Sequence, residues 1–178
     1  MAFAWCRIGV WPSRFFHNQD DRTIKMGTWQ YPIAKFKRGP VFGVVDSWHP
    51  NGHRGTDLNG FKTGTPTVAP QDGKVVVNKW SDGLGNCVVI EVMGTWKGEP
   101  KKIYFGFAHG NKPSPLKVGT KVLAGDKILD AGTTGKFSSG THCHYTLSLT
   151  KDGLFAGKVF DAHAYIARRI KEQEAANA

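Results

Sequence analysis

Pro70-Gln71-Asp72-Gly73-Lys74-Val75-Val76-Val77-Asn78-Lys79-Trp80 decides the fold of this chain. Its first four residues are turn formers. The β-branched run that follows predicts a strand over 74–80. Ser81-Asp82-Gly83-Leu84-Gly85-Asn86 then turns the chain into a second strand, Cys87–Val92. Working outward, Lys102–Ala108 reads as a third strand. Lys112–Gly119 holds Pro113 and Pro115 and reads as a loop. Lys121–Asp130 predicts two short strands about Gly125-Asp126, and the alternation of His142–Leu149 closes the β region. Only Asp161–Glu174 has helical periodicity, with Ala162, Tyr165, Ile166 and Ile170 on one face. A mainly β architecture with one terminal helix follows. The β pattern begins at Trp29. The expected division is therefore a basic and aromatic arm over 1–28, a main domain over 29–167, and the end of the helix with a tail over 168–178. The arm, with Trp5, Trp11, Phe15 and Phe16, is too short to bury a core by itself.

The 178 residues suffice for one domain with a real core, and 22 glycines fit a turn-rich folded chain. The formal net charge of +10 favours polyanionic partners such as nucleic acid, anionic membranes or the phosphate-bearing polymers of a bacterial wall. The charge alone does not choose among them. Basic residues are spread along the chain, without a long Lys/Arg run. A nucleic-acid binder would need a basic patch interleaved with aromatics or a recognised motif, and neither is present. Cys6, Cys87 and Cys143 are too few and too irregular for a disulfide framework. The N-terminus has no basic segment followed by an apolar one, and no apolar stretch reaches the roughly 18 residues of a membrane span. Synthesis in the cytoplasm without a signal peptide is the expectation.

Two histidine clusters carry the chemistry. In His53-Arg54-Gly55-Thr56-Asp57, the flanking Asn51-Gly52 and Asn59-Gly60 and the central Gly55 disfavour a helix. A loop or strand edge is expected, with Gly55 letting the backbone fold so that His53 and Asp57 converge. In His142-Cys143-His144, strand alternation projects both imidazoles to one face and turns Cys143 away to pack as a small apolar side chain. That geometry leaves open whether one or both histidines would bind a metal. His109 ends the apolar run Ile103–Ala108. Two imidazoles and a carboxylate commonly hold a catalytic zinc with one position free for water, and further histidines can move protons. The combination points to a metallohydrolase. Neither the helical His-Glu-x-x-His motif nor a Gly-x-Ser-x-Gly elbow occurs. His17, His49 and His163 have no suggestive spacing, although His49 lies close to His53 in sequence.

The order of these motifs resembles the lysostaphin-like zinc metallopeptidases, which cut peptide cross-bridges of bacterial peptidoglycan. The landmarks are Phe42-Gly43, His53–Leu58, Gly64–Val75, Gly85–Ile90, Gly119–Ile128 and Thr134-Gly135 through Gly140–His144, and the resemblance covers roughly residues 29–165. The resemblance implies a mainly β, antiparallel distorted sandwich of the duplicated-hybrid-motif kind, with an N-terminal arm, a short C-terminal helix and a groove across the sheet. It implies His53, Asp57 and His144 as ligands of one Zn2+ per chain, and His109 and His142 as the catalytic pair beside it. It implies peptidoglycan as partner and hydrolysis of its cross-links as activity, against the alternative of a catalytically inactive wall-binding or regulatory module. The protein is then expected to act on the wall after release, as a bacteriophage lysin does. The family's Tyr-x-His-Leu is here Phe107-Ala108-His109-Gly110, and its Pro-His-Leu-His is Thr141-His142-Cys143-His144. Gly110 is expected to open the groove floor, and these departures bear on substrate preference.

Overall fold

The computed structural model describes residues 28–178. The arm expected over 1–28 therefore lies, apart from Thr28, outside the described residues. Ten strands and one helix follow in chain order: β1 (Lys37–Arg38), β2 (Thr56–Asn59), β3 (Pro66–Val68), β4 (Gly73–Ser81), β5 (Gly85–Trp96), β6 (Glu99–Gly110), β7 (Lys121–Val122), β8 (Lys127–Asp130), β9 (Cys143–Ser148), β10 (Val159–Phe160) and α1 (Ala162–Ala176). β1, β2, β9, β6, β5, β4 and β7 form one sheet in that order, with every pairing antiparallel. β3 and β8 form a second, two-stranded sheet.

The valine-rich hairpin is the centre of the large sheet. β4 and β5 pair from Gly73↔Val92 to Ser81↔Gly85. β5 runs on beyond the expected strand to Trp96 and pairs with β6 as far as Trp96↔Glu99. Composition hid this extension, because Gly94 and Pro100 are weak strand signals while the pairing is set by the partner strand. The two short strands around Gly125-Asp126 exist but do not pair with each other: β7 joins β4 and β8 joins β3. β9 has β6 along one edge. Its other edge is shared by β2 over Cys143–Tyr145 and β10 over Leu147–Ser148.

Alternation divides the large sheet into two faces, one over the main core and one that carries a smaller apolar cluster of Cys87, Val89, Ala108 and Leu154. Leu58, Val75, Val88, Ile90, Phe105, Phe107, Tyr145 and Leu147 point into the main core with Cys143. Ile128 and Leu129 of the small sheet and Ala162, Tyr165 and Ile166 of α1 cover that face, each buried Ile or Leu side chain contributing about 1.5–3 kcal/mol. Asp161 caps α1 by accepting from the Ala164 N–H. The Tyr165 hydroxyl donates to Thr95 O and accepts from Thr95 N, and Trp29 packs edge-on to Phe105 and Tyr165. Asp57 and His144, each one residue away from a core side chain, lie on the opposite face. The mainly β sandwich with a terminal helix is the architecture found.

Candidate metal centre

The antiparallel register aligns Asp57 on β2 directly with His144 on β9, and His144 with Ala108 on β6. His53 reaches the same point from the loop before β2. The donors stand in a triangle: His53 Nε2 to His144 Nδ1 is 3.1 Å, His144 Nδ1 to Asp57 Oδ1 is 3.0 Å, and His53 Nε2 to Asp57 Oδ1 is 3.4 Å. Three ligands each about 2.0–2.1 Å from one tetrahedral zinc lie about 3.3 Å apart, so the donor set fits such an ion. All three residues are buried. His53 Nδ1–H donates to Val41 O at 3.3 Å, which leaves its Nε2 lone pair for a metal.

Burial opposes the charge on Asp57. Hydrogen bonds from His144 and His53, with the charges of His144 and His142, outweigh that and hold the carboxyl well below its usual range. Burial lowers His144, and Asp57 offsets this only partly. The site therefore favours an ionised Asp57 and a neutral His144, the states in which each can bind a divalent ion.

Gly55 acts differently from the sequence expectation. Its φ is not left-handed. Instead, a Cβ there would come within 2.6 Å of His144 Cε1 and 2.7 Å of Tyr145 O, so glycine supplies space for the imidazole rather than backbone freedom. Gly110 is also corrected. A Cβ at that position would meet the Leu129 side chain at 2.5 Å, so the volume belongs to packed core and opens no groove floor.

His109 and His142 are brought together beside this triangle. Their ring centroids are 4.7 Å apart, and His109 is 5.9 Å from His144. His142 Nε2 is 3.9 Å from Asp57 Oδ1. His109 has a left-handed backbone (φ 59°), uncommon for a residue with a Cβ. Its N–H donates to Leu84 O and its Nδ1–H to Thr134 O at 2.8 Å. His142 Nδ1–H donates to Gly140 O at 2.7 Å. Both rings are thereby fixed in the tautomer that leaves Nε2 as acceptor. Burial brings His109 down to about 4, with the Thr134 bond opposing only in part. Asn86 Nδ2 and Thr134 Oγ1 both donate to Gly110 O, bracing the end of β6. Sequence reasoning gave Asn86 and Thr134 no role, because their partners are main-chain atoms distant along the chain.

Cys143 turns from the histidines into the core, and burial pushes its thiol up to about 12. His163 is structural, its Nδ1 2.7 Å from the Tyr145 hydroxyl and its ring stacked on Tyr31. His49 is not remote: its ring centroid is 4.2 Å from that of His53. A cavity of about 260 Å³ opens over the centre, lined by Asp46, Trp48, His49, Asp57, Phe137 and His142 among others. His17 lies outside the described residues. Among the described residues, no helix is long and apolar enough to cross a membrane.

A family model described as Peptidase family M23 matches residues 51–155, a span that includes His53, Asp57, His109, His142 and His144 but not Asp46, Trp48 or His49. The chain belongs to peptidase family M23. The chain is similar to the catalytic domain of the antimicrobial peptidase lysostaphin from Staphylococcus simulans. The TM-score is 0.60 at 27% identity, over 74% of this chain and 92% of that one. It is also similar to a zinc-containing peptidase from Vibrio cholerae, with a TM-score of 0.59 at 25% identity, over 75% of this chain and 38% of that one. A curated relative, an uncharacterized metalloprotease of Haemophilus influenzae, is 29% identical over 141 residues, 73% of this chain and 26% of the relative. The chain thus spans about a quarter of that relative's length.

Proposed function

We propose that this M23 peptidase is a zinc-dependent endopeptidase that hydrolyses peptide cross-links of bacterial peptidoglycan, with His53, Asp57 and His144 as metal ligands and His109 and His142 as the catalytic pair. The observation that carries the reading is the convergence of three donors at tetrahedral spacing beside two imidazoles whose Nε2 atoms are free to accept. Bound there, zinc would lower the pKa of a coordinated water to about 7 and polarise the scissile carbonyl. The protein supplies the rest. Asp57 offsets part of the positive charge. His109, buried and neutral, is suited to accept a proton at Nε2, and Thr134 O keeps its ring aimed. His142, more open to the cavity, is suited to hand a proton to the departing amine. A net charge of +10 favours encounter with an anionic wall. A non-catalytic wall-binding module would tolerate a broken donor set, and this donor set is complete.

The test is incubation of the zinc-loaded protein with purified walls of several bacteria, with mass spectrometry of released fragments and titration of new amino groups. New amino groups that vanish with a chelator and return with zinc are the expected result. Wall binding with no bond cleaved would overturn the proposal.

A further inference from the structure

Neither the metal triangle nor the catalytic pair accounts for the Asp46–His49 unit. Asp46 Oδ1 accepts three hydrogen bonds: from Trp48 N at 2.9 Å, from His49 N at 2.8 Å and from His49 Nδ1–H at 2.9 Å. The two main-chain bonds form the local turn that aspartate commonly makes. The third does something the turn does not need, because it fixes the orientation of the His49 ring. With Nδ1 committed, Nε2 at the ring's other edge has no partner among the described residues. The ring lies against His53 and lines the cavity over the metal centre, and its side chain is 25% exposed. An imidazole held rigid, with one nitrogen open to a cavity that contains Asp57 and His142, is placed to meet whatever enters.

The aromatic neighbours belong to the same feature. Trp48 and Phe137 are 73% and 74% exposed, more than any other large hydrophobic side chain among the described residues. They come from two separate loops, one before β2 and one before β9, yet both line this cavity. Exposed aromatic side chains gathered around a concave site mark a binding surface, since they give contact area at little entropic loss. The cavity, at about 260 Å³, is slightly smaller than the ~300 Å³ at which drug-sized ligand sites begin, so it admits a short stretch of main chain with small side chains.

We propose that His49, held by Asp46, is a substrate-contact residue whose Nε2 accepts a hydrogen bond from a main-chain N–H of the bound peptide, which Trp48 and Phe137 flank. The peptide is oriented by its main chain at this point, and the two rings limit the bulk of its side chains. The proposal rests on the peptidase function proposed above and extends it to a residue outside the span matched by the family.

Zinc-loaded wild type, His49→Ala, His49→Gln and Asp46→Ala are compared on soluble cross-linked muropeptides, with zinc content and melting temperature measured for each. His49→Ala is expected to raise KM roughly tenfold with kcat little changed, the pattern of a lost uniform binding contact. Its zinc content should equal that of wild type. Asp46→Ala should raise KM by a smaller factor, by freeing the ring. His49→Gln, which keeps an acceptor, should recover part of the loss. An active wild type whose KM is unmoved by His49→Ala overturns this proposal alone. So does a variant that loses zinc, which would make His49 a support of the metal centre. A wild type that cleaves no muropeptide overturns the functional reading and this contact together.

Discussion

Acidifying the metal-free protein gives a direct reading of how the buried imidazoles are held. His109 is almost fully buried, and its pKa falls from 6.5 to about 4. In the unfolded chain the ring takes a proton near 6.5, whereas in the folded chain it resists until about pH 4. Between these values the unfolded state binds more protons, so stability rises with pH and is lost on acidification. The difference of about 2.5 units at ~1.36 kcal/mol per unit gives roughly 3 kcal/mol lost from His109 between pH 7 and pH 4. His144 and His163 are lowered as well and act in the same direction. Asp57 does not confuse the window. Its folded pKa is depressed, so its contribution is intact above about 4, the unfolded value, and is lost only at lower pH. The assay is urea denaturation of chelator-treated protein at half-unit steps from pH 8 to 4, repeated on His109→Gln. Stability should fall steadily below pH 6.5, and the slope of the variant should be shallower by up to one proton. Stability that is flat across this interval, or a variant with an unchanged slope, would refute the burial argument.

Asp57→Asn should reduce bound zinc from about one per chain to a small fraction, because the neutral amide no longer offsets the ion's charge; elemental analysis after dialysis measures this. Gly55→Ala should weaken zinc binding without unfolding the chain, since its Cβ displaces the His144 ring; a zinc affinity equal to wild type would contradict that. Arg54 lies between two of the proposed ligands, and its guanidinium donates to Gly153 O and Gly157 O. Arg54→Ala should cost about 1–2 kcal/mol and speed amide exchange in residues 150–157, as read by hydrogen-exchange mass spectrometry.

Local chemistry made much of the site legible. The alternation of His142-Cys143-His144 predicted two imidazoles on one face and a buried thiol, and that is the arrangement found. The strand extension to Trp96 was not legible, because a partner strand decided it over weak local propensity. Gly55 and Gly110 were misread for one reason: the sequence shows that a side chain is missing and not what fills the space. The left-handed backbone of His109 and its bond to Thr134 were invisible because that bond joins segments 25 residues apart. His49 was given no role for want of a motif, although it stands close to His53 in sequence; the contact between the two rings and the hold of Asp46 on His49 appear only in the folded loop.

By itself the sequence determined the periodicity of the strands, the face each side chain would take, and the kinds of donor available. Those follow from bonds and sterics within a few residues, which the order of amino acids specifies directly. The tertiary structure decided which strands became neighbours, how far apart three donor atoms from distant segments came to rest, and which nitrogen of each imidazole was left free. Such quantities depend on register and packing between segments up to 91 residues apart, where a shift of one residue in β2 or β9 would move Asp57 or His144 to the other face.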